Sequence, residues 1–542
     1  MRCGARASTG RAGAAAAATA FAAVIAIGGA CAGPSRDVAT VVYASGADLE
    51  GMNAFATIHP LSRQVQRYVL FVTLLRADER LAPTPYFARR WAWSTDRRTL
   101  TLTTLAGLRW HDGQPTTAHD AAFTLAAARD PVTGYARAAE LASFDSVYAV
   151  DDTTLVIQLT SPPPELPRIL SELPIMPAHR LAALPRGALR RDAFALSPVG
   201  NGPFHFMERR PGQRWVFERN PDFPAALGGP PLLRRLVVAV VDEPTTKLAG
   251  LVSGELDVAG IAPTMAALAA RDPTLRVLDY PVLLTYGLFL NAARPPFDDA
   301  RVRHALDLSL DRDRLVTVAI AGFGTPAAGP VPSGNPLAAA PPVHRDTATA
   351  DSLFAAAGWR RDATGIRHRG GVALACTILT VGTGDNLVEQ LLQADLAARG
   401  VRVEIRSLEF GAFLAAARRV PRQYDALVTG IPGDLSLGYV AAMFDGRQRG
   451  GALDYADWHT PALDARFLAV RAARSEAELR TAWHGVQQEI AHDLPVAWLF
   501  HARGVQGIAR RLAGVTMDLR GELVTVAQWH VGPGAVPVAA AR

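Results

Sequence analysis

The stretch Leu108-Arg-Trp-His-Asp-Gly-Gln-Pro-Thr-Thr-Ala-His-Asp-Ala-Ala-Phe-Thr-Leu125 carries the clearest structural signals in the chain. Asp112-Gly113 is a turn dipeptide, because glycine reaches the backbone angles that a tight turn needs. Thr117 and Asp120 have the spacing of a capping box, in which each side chain accepts a hydrogen bond from the backbone N–H of the other residue. The stretch therefore predicts a turn followed at once by the start of a helix.

The same stretch brings two imidazoles and two carboxylates close together in sequence, which are donor types that bind divalent metals. They are His111, Asp112, His119 and Asp120. Turn formation explains Asp112 and helix capping explains Asp120, so local structure accounts for half of this set. We therefore expect no metal here.

Outward from this stretch, strand-like and helix-like segments alternate in both directions. Runs rich in β-branched or alternating apolar residues predict strands, and apolar residues at helical spacing predict helices. The predicted strands include 38–43, 97–104 and a hairpin of 147–150 with 153–159, and the predicted helices include 386–399 and 475–492. This alternation predicts an α/β fold with mixed sheets.

The amino-acid composition and charge of the chain limit the classes of function that it can have. The chain has 542 residues, 49% hydrophobic and 20% charged, which indicates a globular protein too long for one core. Its net charge of +6 comes almost entirely from arginine. The arginines are scattered among acids and form no basic stripe, so we expect no nucleic-acid partner.

The first 31 residues have the pattern of an export signal. Arg2, Arg6 and Arg11 precede a run of small and apolar residues from 12 to 30. The run ends in small residues before Cys31, which resembles a lipobox and predicts lipidation of Cys31, although Gly28 stands where leucine is usual. A plainly cleaved signal and an uncleaved membrane anchor are the alternatives. Each of these three leaders would export the rest of the chain to the periplasm or the outer face of the cytoplasmic membrane. The exported part begins after a short linker at 32–37.

Segment 108–125 resembles the signature of the family 5 extracellular solute-binding proteins, which serve bacterial ABC importers for peptides, dipeptides and nickel. Other segments resemble the same family in the same order: Gly200-Asn-Gly-Pro-Phe204, Arg219-Asn-Pro-Asp-Phe223, Leu251-Val-Ser-Gly-Glu-Leu-Asp257 and the run from Pro296 to Leu306. The resemblance extends over nearly the whole mature chain, and on it the chain is identified as a member of this family.

The resemblance implies a two-lobed, periplasmic-binding-protein-like α/β fold with mixed sheets, hinge strands and an extra subdomain inserted in the first lobe. It places the first lobe at 38–58, 197–284 and 500–542, the inserted subdomain at 59–196, and the second lobe at 291–499. It implies a monomer without cofactor that captures an oligopeptide or similar solute in the interlobe cleft and delivers it to a membrane permease of the ABC type.

The resemblance also suggests where the solute binds. Peptide binders of the family carry an aspartate that pairs with the ligand's α-ammonium group, and Asp434 stands at the matching place. The neighbouring tryptophan of that motif is missing here, so the solute class stays open among peptides, opines, sugars and metal chelates. Tyr43, Asn53, Tyr286 and Phe410 are further candidates, because aromatic and amide groups commonly line ligand clefts.

No Gly-x-Ser-x-Gly nucleophile elbow and no phosphate-binding glycine loop occur in the sequence. We therefore predict a binding protein without catalytic residues and without a metal. An exported hydrolase and a ligand sensor on the same fold are the alternatives, since a fold alone does not determine function.

Overall fold

The computed structural model describes residues 39–57, 59–339, 342, 344–382, 386–419, 421–433, 436–451 and 453–532. The predicted leader with Cys31, the linker at 32–37, and Asp434 lie outside these residues. Within them, no helix has the length and apolar character needed to cross a bilayer.

The strands are short in the first third of the chain and longest where the chain passes between its two halves. From the N-terminal side they are β1 (Thr40–Ser45), β2 (Leu75–Ala77), β3 (Pro83–Pro85), β4 (Ala88–Trp93), β5 (Thr99–Thr104), β6 (Phe144–Asp151), β7 (Thr154–Leu159), β8 (Phe204–Arg210), β9 (Arg214–Arg219), β10 (Arg235–Val240) and β11 (Val258–Gly260). They continue as β12 (Leu275–Leu290), β13 (Gly324–Pro326), β14 (Arg360–Arg361), β15 (Arg367–Arg369), β16 (Val372–Ala373), β17 (Ala375–Val381), β18 (Arg402–Leu408), β19 (Ala426–Pro432), β20 (Val496–Ala509), β21 (Leu512–Ala513) and β22 (His530–Val531).

Helices lie between these strands throughout. They are α1 (Pro60–Val65), α2 (Ala118–Arg129), α3 (Ile169–Glu172), α4 (Ala178–Leu181), α5 (Pro244–Ser253), α6 (Ala266–Ala269), α7 (Ala300–Ser309), α8 (Arg312–Arg314), α9 (Thr347–Ala356), α10 (Leu387–Ala397), α11 (Phe410–Arg418), α12 (Gly438–Phe444), α13 (Pro461–Ala472) and α14 (Glu476–Asp493). The mixed α/β prediction is confirmed.

An eleven-stranded mixed sheet runs through the described chain in the order β18-β17-β19-β12-β20-β11-β1-β10-β9-β8, with β13 paired to β20 outside that path. The long strands β12 and β20 pair antiparallel at its centre. β1 pairs parallel with both β10 and β11, and β17 pairs parallel with β18 and β19. Parallel neighbours therefore lie on both sides of the central antiparallel pair.

Different stretches of the central strand pair pack into different apolar cores. Tyr280 and Ile508 belong to a core built from residues near both chain ends. Further along the same two strands, Leu288 and Phe500 belong to a different core. All its fully buried members lie between Leu288 and Phe500 in sequence. Separate cores on the two sides of this strand pair define two lobes, because each lobe buries its own apolar surface.

The pairing of β12 with β20 is interrupted where the core changes. Pro281 pairs with Arg503 and Thr285 pairs with His501, so four steps along β12 correspond to two steps along β20. Thr285 Oγ1 donates to the carbonyl oxygen of Pro330 at 3.0 Å. An irregularity of this kind bends a strand locally. The crossing between the lobes is therefore a bulged two-stranded ribbon.

The segment predicted as an inserted subdomain contains a four-stranded antiparallel sheet, β4-β5-β7-β6, with α2 beside it. The predicted hairpin is confirmed as β6 and β7. Residues of this segment share one continuous core with the first lobe. The exact domain boundaries stay predictions.

The capping box at α2 is confirmed. The Thr117 side chain accepts from the start of the helix, and Asp120 Oδ2 accepts from Thr117 N–H at 2.9 Å. Asp120 also accepts from the indole N–H of the buried Trp110 at 3.3 Å. Asp120 thus caps the start of α2 and also holds the preceding turn against that helix.

Gly200 and Gly202 lie where the chain returns from the inserted segment to the first lobe. A Cβ atom on Gly202 would come within 2.6 to 2.8 Å of the backbone of Leu70 and Phe71. The carbonyl oxygen of Leu70 accepts from Asn201 N–H at 3.1 Å and Gly202 N–H at 2.8 Å. Glycine is required there because two backbone segments are in direct contact.

Candidate functional site

A small cavity of about 60 Å³ lies in the first lobe, between the first helix and two segments of the inserted region. Its lining combines apolar, hydroxyl and charged groups: Ala54, Thr57, Arg63, Gln66, Tyr135, Ala136, Arg137, Glu172, Leu173 and Pro174. Ligand pockets are usually several times larger, roughly 300–1,000 Å³, so this cavity can form only a part of a binding site.

Three separate segments place the charged groups of this lining. Arg63 lies on α1, which His59 caps by accepting from Ser62 N–H at 3.3 Å. Arg137 immediately precedes the 3₁₀ turn Ala138–Leu141, and Glu172 is the last residue of α3. Because short helices and turns carry all three, small movements of these segments would change the shape of the cavity.

Arg137 is the centre of the ion-pair network. Its Nε and Nη2 donate to the two carboxylate oxygens of Glu140, and its Nη1 donates to Glu172 Oε2. Arg63 Nη2 reaches the same oxygen of Glu172 at 3.3 Å. Arg137 thus joins two carboxylates, and Glu172 joins two guanidinium groups.

Glu172 is buried, and burial by itself would raise the pKa of its carboxyl group. The positive charges of Arg137, Arg67 and Arg63 outweigh burial and lower the pKa of Glu172 to about 2. Burial also raises the pKa of the Tyr135 phenol. At neutral pH the cavity therefore presents a carboxylate already paired with arginine and a neutral phenol.

Arg67 stands beside this network without a carboxylate partner in the described chain. Its guanidinium carbon lies 5.3 Å from the centre of the Tyr68 ring. Its Nε is buried and has no hydrogen-bond acceptor among the described residues. The pKa of Arg63 is lowered first by burial and then by the repulsion of Arg137 and Arg67, partly offset by Glu172.

The second lobe meets this network at Ser436. Ser436 Oγ donates to Glu140 Oε2 at 3.4 Å, a contact between residues 296 positions apart. Nearer the hinge, Gly433 N–H donates to the carbonyl oxygen of Leu283 at 2.6 Å. The described residues on either side of Asp434 are thus held by the hinge ribbon and by the inserted region.

The predicted site residues have different surroundings. Asp434 lies outside the described residues, and Phe410 begins α11. Asn53 is fully buried; its side chain donates to the Leu189 carbonyl at 2.6 Å and accepts from Phe55 N–H at 3.0 Å. Those bonds give Asn53 a structural role in a turn, and its contact with a solute stays a prediction.

Tyr43 lies on β1 and is also buried. Its hydroxyl donates to Glu522 Oε2 in the C-terminal segment. Burial raises the pKa of Glu522 to about 7, so this carboxyl group is only partly ionised at neutral pH. The hydrogen bond from Tyr43 to Glu522 therefore joins β1 to the C-terminal segment.

Tyr286 lies on β12 just beyond the hinge bulge, in the second lobe. Its ring stacks on Phe500 of β20, with ring centres 4.8 Å apart and planes inclined by 21°. Burial raises the pKa of its phenol. Of the predicted residues, Tyr286 lies nearest in sequence to the hinge bulge.

The residues that line the cavity were not among the sequence candidates. Arg63, Gln66, Tyr135, Arg137 and Glu172 belong to no motif and are up to 109 positions apart. The sequence carries no local signal for such a cluster, because only the tertiary fold brings its members together.

Among the described residues, two clusters have metal-binding residue types, and one of them is the exposed or half-buried group of Glu489, His492 and Asp493 at the end of α14. Asp454, Asp457 and His459 of the second lobe offer ligand atoms within 4.8 Å of one another. Asp454 Oδ2 already accepts from Gly450 N–H at 2.7 Å and pairs with His459 Nε2 at 3.1 Å. The guanidinium of Arg422 lies 3.9 Å from the same oxygen, and its positive charge opposes a cation.

Comparison with known proteins gives a family profile and a set of similar folds. The profile described as bacterial extracellular solute-binding proteins, family 5, middle, matches residues 82–446. A Brucella ovis protein, named for peptide binding in an ABC transporter, shares 32% identity over 241 residues. That match covers 44% of this chain and 45% of the relative, so the chain spans less than half of that protein's length.

Two solved structures share the whole fold. The oligopeptide-binding protein AppA from Bacillus subtilis, in complex with a nonapeptide, has a TM-score of 0.75 and 22% identity, covering 91% of this chain and 99% of that one. NikZ from Campylobacter jejuni, in complex with Ni(L-His), has a TM-score of 0.79 and 20% identity, covering 91% and 100%. The predicted two-lobed fold is confirmed by these likenesses.

Proposed function

Because the chain belongs to family 5 of the bacterial extracellular solute-binding proteins, we propose that it is the solute-binding component of an ABC importer. In this function it captures an oligopeptide or similar small solute between its lobes and presents the closed form to a membrane permease. The family binds its substrates without transforming them, and we propose that this chain likewise has no catalytic activity.

The observation that carries the proposal is the contact between the lobes beside the cavity. Glu140 of the inserted region and Ser436 of the second lobe lie 3.4 Å apart, and Glu140 is paired with Arg137 of the cavity lining. A solute held between the lobes beside this contact would therefore lie next to the surface that closes over it. Contacts that form only on closure stabilise the closed state of a hinged protein.

The proposed solute site includes residues from both lobes. Asp434 would supply a counter-charge for an ammonium group, since a charge entering a closed cleft needs a desolvated partner. Tyr286 and Phe410 would add aromatic area from the second lobe, and Tyr43 and Asn53 are the first-lobe candidates. Only Leu435 stands between Asp434 and Ser436 in sequence, and Ser436 contacts Glu140 of the inserted region, which supports the proposal that Asp434 lies near the cleft.

The proposed location follows from the leader. Cleavage before Cys31 and lipidation of that cysteine would tether a monomer to the outer face of the cytoplasmic membrane, within reach of the permease. Metabolic labelling with a fatty-acid analogue in a host that processes lipoproteins tests this. Label on the wild-type chain and none on Cys31→Ser would support the anchor, and equal labelling would contradict it.

Native mass spectrometry tests the function itself. The chain from Val38 to Arg542, without its leader, would be purified and measured before and after mild denaturation. A releasable adduct in the mass range of short peptides supports the proposal, and Asp434→Ala should lose that adduct. A mass without adduct, unchanged after incubation with a mixed peptide pool, would count against peptide capture.

A further inference from the structure

The carbonyl oxygen of Pro330 accepts hydrogen bonds from two hydroxyl groups that come from different parts of the second lobe. Thr285 Oγ1 of β12 donates to it at 3.0 Å, and Tyr439 Oη of α12 donates to it at 2.9 Å. A carbonyl oxygen has two lone pairs, so both bonds can form at once. Both donor residues are buried. The Pro330 carbonyl thus joins the hinge ribbon to the first turn of α12.

The ring of Tyr439 also lies against the chain that leaves β19. A Cβ atom on Gly433 would lie 3.0 Å from Cε1 of Tyr439 and 3.2 Å from Cβ of Leu283. The N–H group of Gly433 donates to the carbonyl oxygen of Leu283 at 2.6 Å. Glycine therefore lets the Tyr439 ring approach the hinge strand closely. Tyr439 is held beside the hinge bulge both at its ring and at its hydroxyl.

The first turn of α12 lies beside the contact between the lobes. Ser436 precedes Leu437, the N-cap residue of α12, and donates through Oγ to Glu140 Oε2 of the inserted region at 3.4 Å. Only Leu437 and Gly438 separate Ser436 from Tyr439, so a displacement of Tyr439 is passed on to Ser436. A donor–acceptor distance of 3.4 Å is near the upper limit for a hydrogen bond, so a small displacement breaks it.

We propose that Tyr439 is a positioning residue for solute capture, because its bond with the Pro330 carbonyl holds the start of α12 where Ser436 meets the first lobe. This inference rests on the proposed solute-binding function and adds how that function is controlled. The bond between Ser436 and Glu140 exists only while the lobes meet, and contacts of this kind stabilise the closed state. Loss of the Tyr439 hydroxyl therefore shifts the balance toward open lobes and weakens capture of a solute.

Tyr439→Phe tests this role, and Tyr424→Phe is its matched control. Both tyrosines are buried in the second lobe, and each donates its hydroxyl to a backbone carbonyl, that of Pro330 or that of Tyr455. Tyr439→Phe keeps the aromatic ring and leaves the Pro330 carbonyl its bond from Thr285. Thermal melts show whether each variant is folded.

The distance between two spin labels measures the open and closed populations without a solute. In 38–542 the only cysteine is Cys376, which is buried, so labels attach at introduced cysteines. Thr95→Cys in the inserted region and Thr481→Cys on α14 place one label at an exposed position on each side of the hinge. Tyr439→Phe should lower the ratio of closed to open molecules about threefold or more, as expected for the loss of one hydrogen bond. The control variant should leave that ratio unchanged.

A double-mutant cycle separates positioning from a general structural role. Ser436→Ala removes the contact between the lobes itself, so adding Tyr439→Phe to it should change the closed fraction no further. Calorimetry with an equimolar tripeptide pool should give the same order. Tyr439→Phe and Ser436→Ala should each bind the pool about threefold or more weakly than wild-type protein, and Tyr424→Phe should bind it as wild-type protein does.

The outcomes separate the role of Tyr439 from the function of the protein. The positioning role would be overturned by a closed fraction that does not respond to Tyr439→Phe, by an equal response to Tyr424→Phe, or by effects of Tyr439→Phe and Ser436→Ala that simply add. Each of these results would leave the solute-binding proposal standing. Folded wild-type protein that binds no pool would instead overturn peptide capture, while the label distances would still decide the role of Tyr439.

Discussion

Thr285 Oγ1 and His501 Nδ1 lie 2.9 Å apart, where β12 and β20 pass from one lobe to the other. Since Thr285 donates its proton to the carbonyl of Pro330, the imidazole must donate to Thr285 through Nδ1–H. This chain of bonds ties both hinge strands to the segment that ends at Pro330. It fixes the tautomer of His501 as well as its position.

Replacing Thr285 tests this tie. Thr285→Val would leave the His501 donor without its partner and the Pro330 carbonyl with only its bond from the Tyr439 hydroxyl, at a cost of about 1–3 kcal/mol in the free energy of unfolding. Urea denaturation measures the loss. Thr481→Val is the control, because the exposed Thr481 hydroxyl bonds only within its own helix. Equal stability of the two variants would show that the hinge hydrogen bonds contribute nothing.

Acid should destabilise the folded protein through two buried histidines. Burial lowers the pKa of His111 to about 3 and that of His501 to about 4, against about 6.5 in an unfolded chain. The unfolded state therefore binds protons more readily, and stability is lost as pH falls from about 6.5 through these lower values.

His111→Gln should make that loss smaller. Urea midpoints between pH 7.5 and pH 4 would fall less steeply in this variant than in wild-type protein. His119→Gln is the matched control, since 59% of the His119 side chain is exposed. A variant whose midpoints follow the wild-type curve would remove His111 from the explanation.

Glu522 should act in the opposite direction. Burial raises the pKa of this carboxyl to about 7, above the 4.5 of a free glutamate, so the folded state favours the protonated form. Its contribution to stability is complete below about pH 4.5 and is lost as pH rises toward 7. Glu522→Gln can still accept from Tyr43 and should be more stable than wild-type protein at pH 8.

At pH 4 the Glu522→Gln variant and wild-type protein should melt alike, because the carboxyl is then protonated in both states. Glu404→Gln, at an exposed position on β18, should change neither melt. Lower stability of Glu522→Gln at pH 8 would show that the ionised form is the one that the fold prefers.

Gly202 should not tolerate a side chain. In Gly202→Ala the new Cβ would meet the Leu70 backbone at 2.6 Å, so one of the two segments must shift. Overpacking of this kind costs about 1–3 kcal/mol or more. Thermal unfolding measures it, and Gly187→Ala is the control because its nearest contact would be an ordinary 3.7 Å. Matching melting temperatures would contradict a required close approach at Gly202.

Local features were predictable from the sequence, and the features that depend on distant contacts were not. Thr117 and Asp120 are three positions apart, so spacing alone identifies their cap. The family resemblance likewise depends on ordered segments of sequence. By contrast, Arg63 meets Glu172 across 109 positions, and no periodicity records such a pair.

Side-chain chemistry was also an incomplete guide to the site. Asn53 and Tyr43 have polar groups that suit a ligand, yet Leu189 and Glu522 already engage them. A polar atom in a buried place must be bonded, but the sequence does not say whether protein or solute supplies the partner. That choice depends on which backbone passes nearby, and tertiary structure determines it.

The ribbon of β12 and β20 has a mechanical consequence. Two hydrogen-bonded strands resist sliding past each other. The extra residues of β12 between Pro281 and Thr285 make the ribbon easier to bend at that one place. The lobes would then bend relative to each other mainly about a single axis across the ribbon. A single bending axis would bring the two lobes back to the same alignment each time they close.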